Sequence, residues 1–137
     1  MKRAILLMAL LAAVGCGSSS STAPTTSSAP YSQVDVVVGT GAAAVAGRGA
    51  TVNYTLWLYD SSKTEGKGNQ IQNGSAFSFV LGAGSVIKGW DQGVPGMKVG
   101  GLRRLTIPPE LAYGSNPPSG IPVNATLVFD VTLTAVQ

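Results

Sequence analysis

Over most of the chain the apolar residues fall at every second position, the period of a half-buried strand. Val52, Tyr54, Leu56 and Leu58 share one face of a segment running from Thr51 to Asp60. Phe77, Phe79 and Leu81 alternate up to Gly82-Ala83-Gly84, Leu105 and Ile107 share a face of Leu102 to Ile107, and Leu127, Phe129, Val131 and Leu133 line the last segment. Val34, Val36 and Val38 alternate with Gln33, Asp35 and Val37, predicting a first strand closed by Gly39-Thr40-Gly41. Gly47-Arg48-Gly49 and Gly100-Gly101 read as turns between strands. Ser61 to Ser75 is polar and Gly-rich and reads as a loop holding one apolar residue, Ile71.

One stretch breaks the two-residue period. In Gly84 to Val94, the residues Ile87, Trp90, Asp91 and Val94 recur at helical spacing, with Ser85 as the expected N-cap and Gly93, Pro95 and Gly96 as the stop. A helix of about two turns does not persist alone in water, so it must lie against the sheet. Trp90 is then either the floor of a concave apolar site or an ordinary core residue. Pro108 to Tyr113 predicts one helical turn with Pro at its start, followed by an irregular loop from Gly114 to Asn124. About five strands, each with one apolar face, and one short helix describe an α+β domain, mainly β, built on an antiparallel sheet with a single buried face.

The N-terminus follows a different pattern. Lys2-Arg3 precedes the apolar run Ala4 to Val14, then Gly15-Cys16. A basic start, an apolar stretch too short to span a bilayer comfortably and small residues at its end mark a secretory signal. Ala13-Val14-Gly15-Cys16 resembles a bacterial lipobox, with Ala where Leu is usual three residues before the Cys. The resemblance implies a signal peptide over 1–15, a diacylglycerol thioether on Cys16, and a membrane-anchored lipoprotein of the cell envelope facing periplasm or exterior. Gly17 after the Cys resembles outer-membrane sorting in a cell that has an outer membrane. Ordinary signal cleavage leaving a thiol is the alternative. Residues 16–32, the lipidated Cys and a Ser/Thr/Ala/Pro segment, predict a flexible linker, with the domain over 33–137.

Composition narrows the chemistry. The 137 residues are 45% hydrophobic and 11% charged, with no His and one Cys. There is thus no Ser-His or Cys-His pair and no His or thiolate metal site, and no cofactor is expected. The six acidic residues are scattered, so a carboxylate pair could arise only by tertiary contact. Gly82-Ala83-Gly84 lacks the Lys-Ser/Thr of a phosphate loop. The formal charge of +3 falls to +1 without Lys2 and Arg3, and only Arg103-Arg104 adjoin, which argues against a nucleic-acid partner. Asp91 and Asp130 read as solvated or capping carboxylates, Lys88 and Lys98 as exposed, Phe79 and Leu127 as core. What stands out is aromatic supply on inward faces: Tyr54, Phe77, Phe79, Trp90, Tyr113 and Phe129. Surplus rings facing a concavity suggest a binding pocket.

Five segments carry a family resemblance: Val52-Asn53-Tyr54-Thr55, Phe77-Ser78-Phe79-Val80-Leu81-Gly82, Val86 to Val94, Leu105 to Gly114, and Asn124 to Val131. In this order they resemble the FKBP-type peptidyl-prolyl cis-trans isomerases, from about Val34 to Gln137. The resemblance implies a five- or six-stranded antiparallel half-barrel wrapped round one helix. It implies a proline pocket with Trp90 as floor, Tyr54, Phe77 and Phe129 as walls, and Val86, Ile87, Ile121 and Tyr113 at the rim. The Ile87 backbone N–H and the Tyr113 hydroxyl would hydrogen-bond substrate carbonyls. Implied partners are proline-containing polypeptides and, with weakened affinity, macrolide inhibitors. The weakening follows from a departure: Ile71-Gln72-Asn73-Gly74 stands, in a shortened loop, where the family usually carries Phe-Asp-Ser-Ser. Ile71 would be a smaller apolar wall and Gln72 an uncharged hydrogen-bonding one; a drifted surface loop with Gln72 in water is the alternative. Leu56 stands where the family usually has Gly, and its side chain must pack somewhere. The implied function is isomerisation of X–Pro bonds in exported proteins. A non-catalytic, chaperone-like peptide binder using the same pocket is the alternative, and a surface interaction domain with a vestigial pocket a third reading.

Overall fold

The computed structural model describes residues 28–137. The expected signal peptide, Cys16 and most of the linker lie outside these residues. Five strands form one antiparallel sheet: β1 (Ser32–Val37), β2 (Gly49–Tyr59), β3 (Lys67–Val80), β4 (Leu102–Ile107) and β5 (Leu127–Val136). Their order across the sheet is β1-β4-β5-β2-β3. The helix α1 spans Lys88–Gly93, and single 3-10 turns lie at Thr64–Gly66 and Pro109–Leu111, the latter with Pro109 at its start.

The alternating faces are the buried ones. Val52 and Leu56 of β2, Leu105 and Ile107 of β4, and Leu127, Phe129, Val131 and Leu133 of β5 are all buried in one cluster. Helix α1 closes that face by lying directly on β4. A Cβ at Gly89 would stand 2.6 Å from Ile107 side-chain atoms, and one at Gly93 would stand 2.7 Å from Leu105, so two glycines one turn apart permit the contact. Tyr31 also packs against this cluster, its hydroxyl 2.7 Å from where a Gly93 Cβ would sit, so the packing already includes the residue before β1.

Two expectations need correction. The polar segment 61–75 is not simply a loop: β3 begins at Lys67 and pairs with β2 all the way from Tyr59↔Lys67 to Gly49↔Val80. Since β3 is an edge strand, most of its residues are exposed on both faces, and no apolar alternation announces it. The helix starts after Ile87 rather than Ser85, and its first N–H groups meet no capping side chain. Asp91 accepts instead from the Gly82 and Gly84 N–H groups at 3.1 and 3.0 Å, tying the Gly82–Gly84 turn to the helix. The first strand, β1, has all six residues exposed, for it is the other edge.

The buried and half-buried cations of the sheet are paired. Arg103 is buried, 7% exposed. It donates to Asp35 of β1 at 2.6 Å and to the Gly93 and Pro95 carbonyls at 2.6 and 3.2 Å. Arg104, its neighbour on the opposite face, meets Asp130 at 2.8 Å. Asp130 also accepts from Lys67 at 2.8 Å, and Glu65 joins both cations, so Asp130 is a network hub rather than a solvated or capping carboxylate. Burial alone would raise the Asp130 carboxyl, but the Arg104 and Lys67 hydrogen bonds and charges outweigh it and hold it below its ordinary value. A carboxyl depressed on folding contributes stability that is complete above its unfolded pKa and lost as pH falls through its folded one. The urea unfolding midpoint is therefore expected to fall on acidification below about pH 4, and Asp130→Asn to flatten part of that decline.

Candidate functional site

On the concave side, above α1, the sheet leaves a hollow of about 350 Å³. Strand alternation and α1 bring its walls together. Tyr54 on β2, Phe77 on β3 and Phe129 on β5 stand round Trp90, with ring centroids 5.2, 5.9 and 5.3 Å from the indole. All three rings stand at 79–81° to it, edge to face. Phe79, read as core, is buried and lies 5.5 Å from Trp90, behind the hollow rather than lining it. The Trp90 indole N–H is buried with no hydrogen-bond acceptor among the described residues, in a box where an indole edge can meet a ring face. Trp90 is thus both a core residue, 4% exposed, and a lining residue of the hollow.

The mouth carries the polar groups. Val86, Ile87, Tyr113 and Gln72 all line the hollow. Ile87 precedes α1, and its carbonyl accepts from the Trp90 and Asp91 N–H groups at 3.0 and 3.2 Å. Its own N–H has no partner among the described residues. Burial pushes the Tyr113 hydroxyl above its ordinary pKa, and neighbouring Tyr54 adds to the shift, so Tyr113 remains a neutral donor at physiological pH. No lining residue bears a formal charge.

Two residues expected at the site, Ile121 on the rim and Ile71 as a wall, are elsewhere. Ile121 is buried in the core cluster, and Ile71 packs half-buried against that cluster from β3; neither lines the hollow. Ile71 is drawn inward by the β2–β3 hairpin, in which Gln72 pairs with Leu56. Leu56 lines the hollow while being 1% exposed, since it lies on the same β2 face as Tyr54 and pairs with Phe129 on β5. Gly84 and Ser85 also reach the hollow. The β2 alternation already placed Leu56 on the inward face; Ser85 carried no comparable signal. Among the described residues no group of three His, Cys, Asp or Glu side chains is placed to hold a metal ion.

An open five-stranded antiparallel sheet with an uncharged, ring-lined hollow over one short helix has the concave, largely apolar form in which ligand sites commonly occur. The model of the FKBP-type peptidyl-prolyl cis-trans isomerase family matches residues 41–134, and the chain belongs to that family, a class of isomerase enzymes. It is 45% identical over 103 residues to an FK506-binding protein of Neisseria meningitidis serogroup B, covering 74% of this chain and 92% of that one. It is 55% identical over 80 residues to FK506-binding protein 4 of Mycosarcoma maydis, covering 58% of this chain; there it spans only 21% of the relative's length. The crystal structure of AtFKBP13 superposes with a TM-score of 0.65 at 35% identity, covering 78% of this chain and 93% of that one.

Proposed function

We propose that this chain catalyses rotation about X–Pro bonds in exported polypeptides, held at the cell envelope by a lipid on Cys16. The observation that carries the catalytic reading is the closure of Tyr54, Phe77 and Phe129 around Trp90 with no formal charge among the lining residues. A prolyl amide rotates slowly because resonance must be broken, at a barrier of about 18–20 kcal/mol. The planar amide carries more charge separation than the twisted one, so an apolar hollow disfavours the ground state. A site that grips proline and suits the twisted form binds the transition state better, and each tenfold in rate needs about 1.4 kcal/mol of that preference. The unpartnered Ile87 N–H and the neutral Tyr113 hydroxyl are donors for the carbonyls flanking proline. Nothing in this scheme needs a nucleophile or a titrating base, which suits a chain without His.

The test is isomerisation of Leu-Pro and Phe-Pro peptides by the folded domain. Rate acceleration reduced relative to a family member with Asp at the Gln72 position is the expected result, and a rate equal to buffer would refute catalysis. The uncharged Gln72 wall favours one second reading, a binder that holds proline segments without accelerating rotation; peptide binding without acceleration identifies it. Gln72→Asp is expected to tighten macrolide binding severalfold, because a carboxylate is a stronger acceptor than an amide; an unchanged Kd would mean that position 72 does not touch the ligand. The anchor has its own test. No helix among the described residues is long and apolar enough to cross a membrane. Cys16→Ser should move the protein from the membrane fraction to the soluble one, and persistence in the membrane would count against lipidation.

A further inference from the structure

We propose that the aromatic hollow opens into a second subsite that receives a polar flank of the same client chain and reads its charge through Lys88 and Glu110. The proposal rests on the reading above only in needing a polypeptide in the hollow, whether or not its rotation is accelerated.

The two hollows adjoin. Gly84, Val86, Ile87 and Tyr113 line both, so the Val86-Ile87 segment and Tyr113 form the sill between them. Beyond it lies a groove of about 520 Å³ between the start of α1 and the 3-10 turn Pro109–Leu111, continued by Ser115 and Asn116. A hollow of about 350 Å³ holds little more than proline and a neighbouring residue. At about 3.3–3.6 Å per extended residue, the third residue along is already several ångströms past the sill. The partnerless Ile87 N–H lies on the sill itself, where a backbone leaving the hollow offers carbonyls.

The chemistry changes at the sill. The first hollow carries no charged residue, whereas the groove carries Lys88 on one side and Glu110 on the other, both exposed. Neither has an ion pair or side-chain hydrogen bond among the described residues, while Asp35, Glu65, Lys67, Arg103, Arg104 and Asp130 are all paired. Asp91 also faces the groove, but its two oxygens accept from the Gly82 and Gly84 N–H groups. One uncommitted cation and one uncommitted anion therefore flank the exit path. An acidic flank residue is drawn to Lys88 and a basic one to Glu110. At exposed positions each such contact changes affinity by no more than about fivefold, so the subsite sorts clients rather than anchoring them.

The experiment compares a short, neutral, capped peptide around one Leu-Pro bond with longer peptides carrying acidic or basic residues on either flank. Binding is read from tryptophan emission and isomerisation in parallel, for the wild-type domain, Lys88→Glu and Glu110→Lys. Lys88→Glu should weaken the acidic peptide about three- to fivefold and tighten the basic one, Glu110→Lys should do the reverse, and both effects should shrink at high salt. The proposal is overturned if the acidic-to-basic affinity ratio is the same in all three proteins, or if the long peptides bind no differently from the short one. Binding with the predicted ratios but no acceleration leaves the subsite standing and removes catalysis; acceleration with unmoved ratios does the opposite. Absence of binding by every peptide removes both.

Discussion

Replacing Trp90 by alanine is expected to cost about 3–5 kcal/mol of folding stability, the range for truncating a large aromatic residue in a core. The indole is 4% exposed and holds four rings within 6 Å, Tyr54, Phe77, Phe79 and Phe129, so its loss opens a cavity that several elements border. Set against a typical stability of about 5–15 kcal/mol, this leaves a marginal domain. Trp90→Leu, which keeps an apolar floor, should fold with a smaller loss and is the variant in which to measure rate. Its kcat/KM for a Leu-Pro peptide is expected to fall at least about tenfold, equivalent to roughly 1.4 kcal/mol of transition-state binding. Urea unfolding followed by circular dichroism separates the two effects. A folded Trp90→Leu domain with undiminished kcat/KM would show that the indole is packing alone.

Arg103→Met is the second large effect. Methionine keeps much of the apolar stem but strips donors from the Gly93 and Pro95 carbonyls and removes the Asp35 ion pair. A buried hydrogen bond from a charged donor is worth about 1.5–3 kcal/mol, and the half-exposed Asp35 adds little. A loss of about 2–3 kcal/mol is expected, near 8–15 °C in Tm for a domain of this size. Asp35→Asn should cost under about 1 kcal/mol. Equal losses for the two variants would place the energy in the ion pair and not in holding the end of α1. Because Gly93 closes the helix that carries Trp90, the loosened Met variant is also expected to lose rate before it loses its fold.

The central strands were legible because burial on one face imposes alternation: the inward residues read on β2, β4 and β5 are buried, line the hollow or, as Leu58, pack half-buried against the core. Helix α1 was legible for the same reason, through Trp90 and Val94. Edge strands escape this logic. Much of β3 is exposed on both sides, so the pairing of Gln72 with Leu56 is carried by backbone hydrogen bonds that leave no trace in side-chain type. Within the site, Tyr54, Phe77, Phe129, Val86, Ile87 and Tyr113 line one hollow with Trp90. Ile121 was misplaced because an isoleucine in an irregular loop looks alike whether it turns to a mouth or to the core. Arg103 was missed as a structural residue: it sits in phase with Leu105 and Ile107, and that inward phase was the available signal.

The order of the strands bears on synthesis. The last strand in the chain, β5, occupies the middle of the sheet, between β4 and β2. Until it arrives, β1 and β4 on one side and β2 and β3 on the other are two separate ribbons, with half of the aromatic box on neither. Neither ribbon is a stable intermediate by itself, and closure awaits contacts made far apart in sequence, which makes such folds slow. A nascent copy therefore lacks a closed sheet until β5 itself has been made.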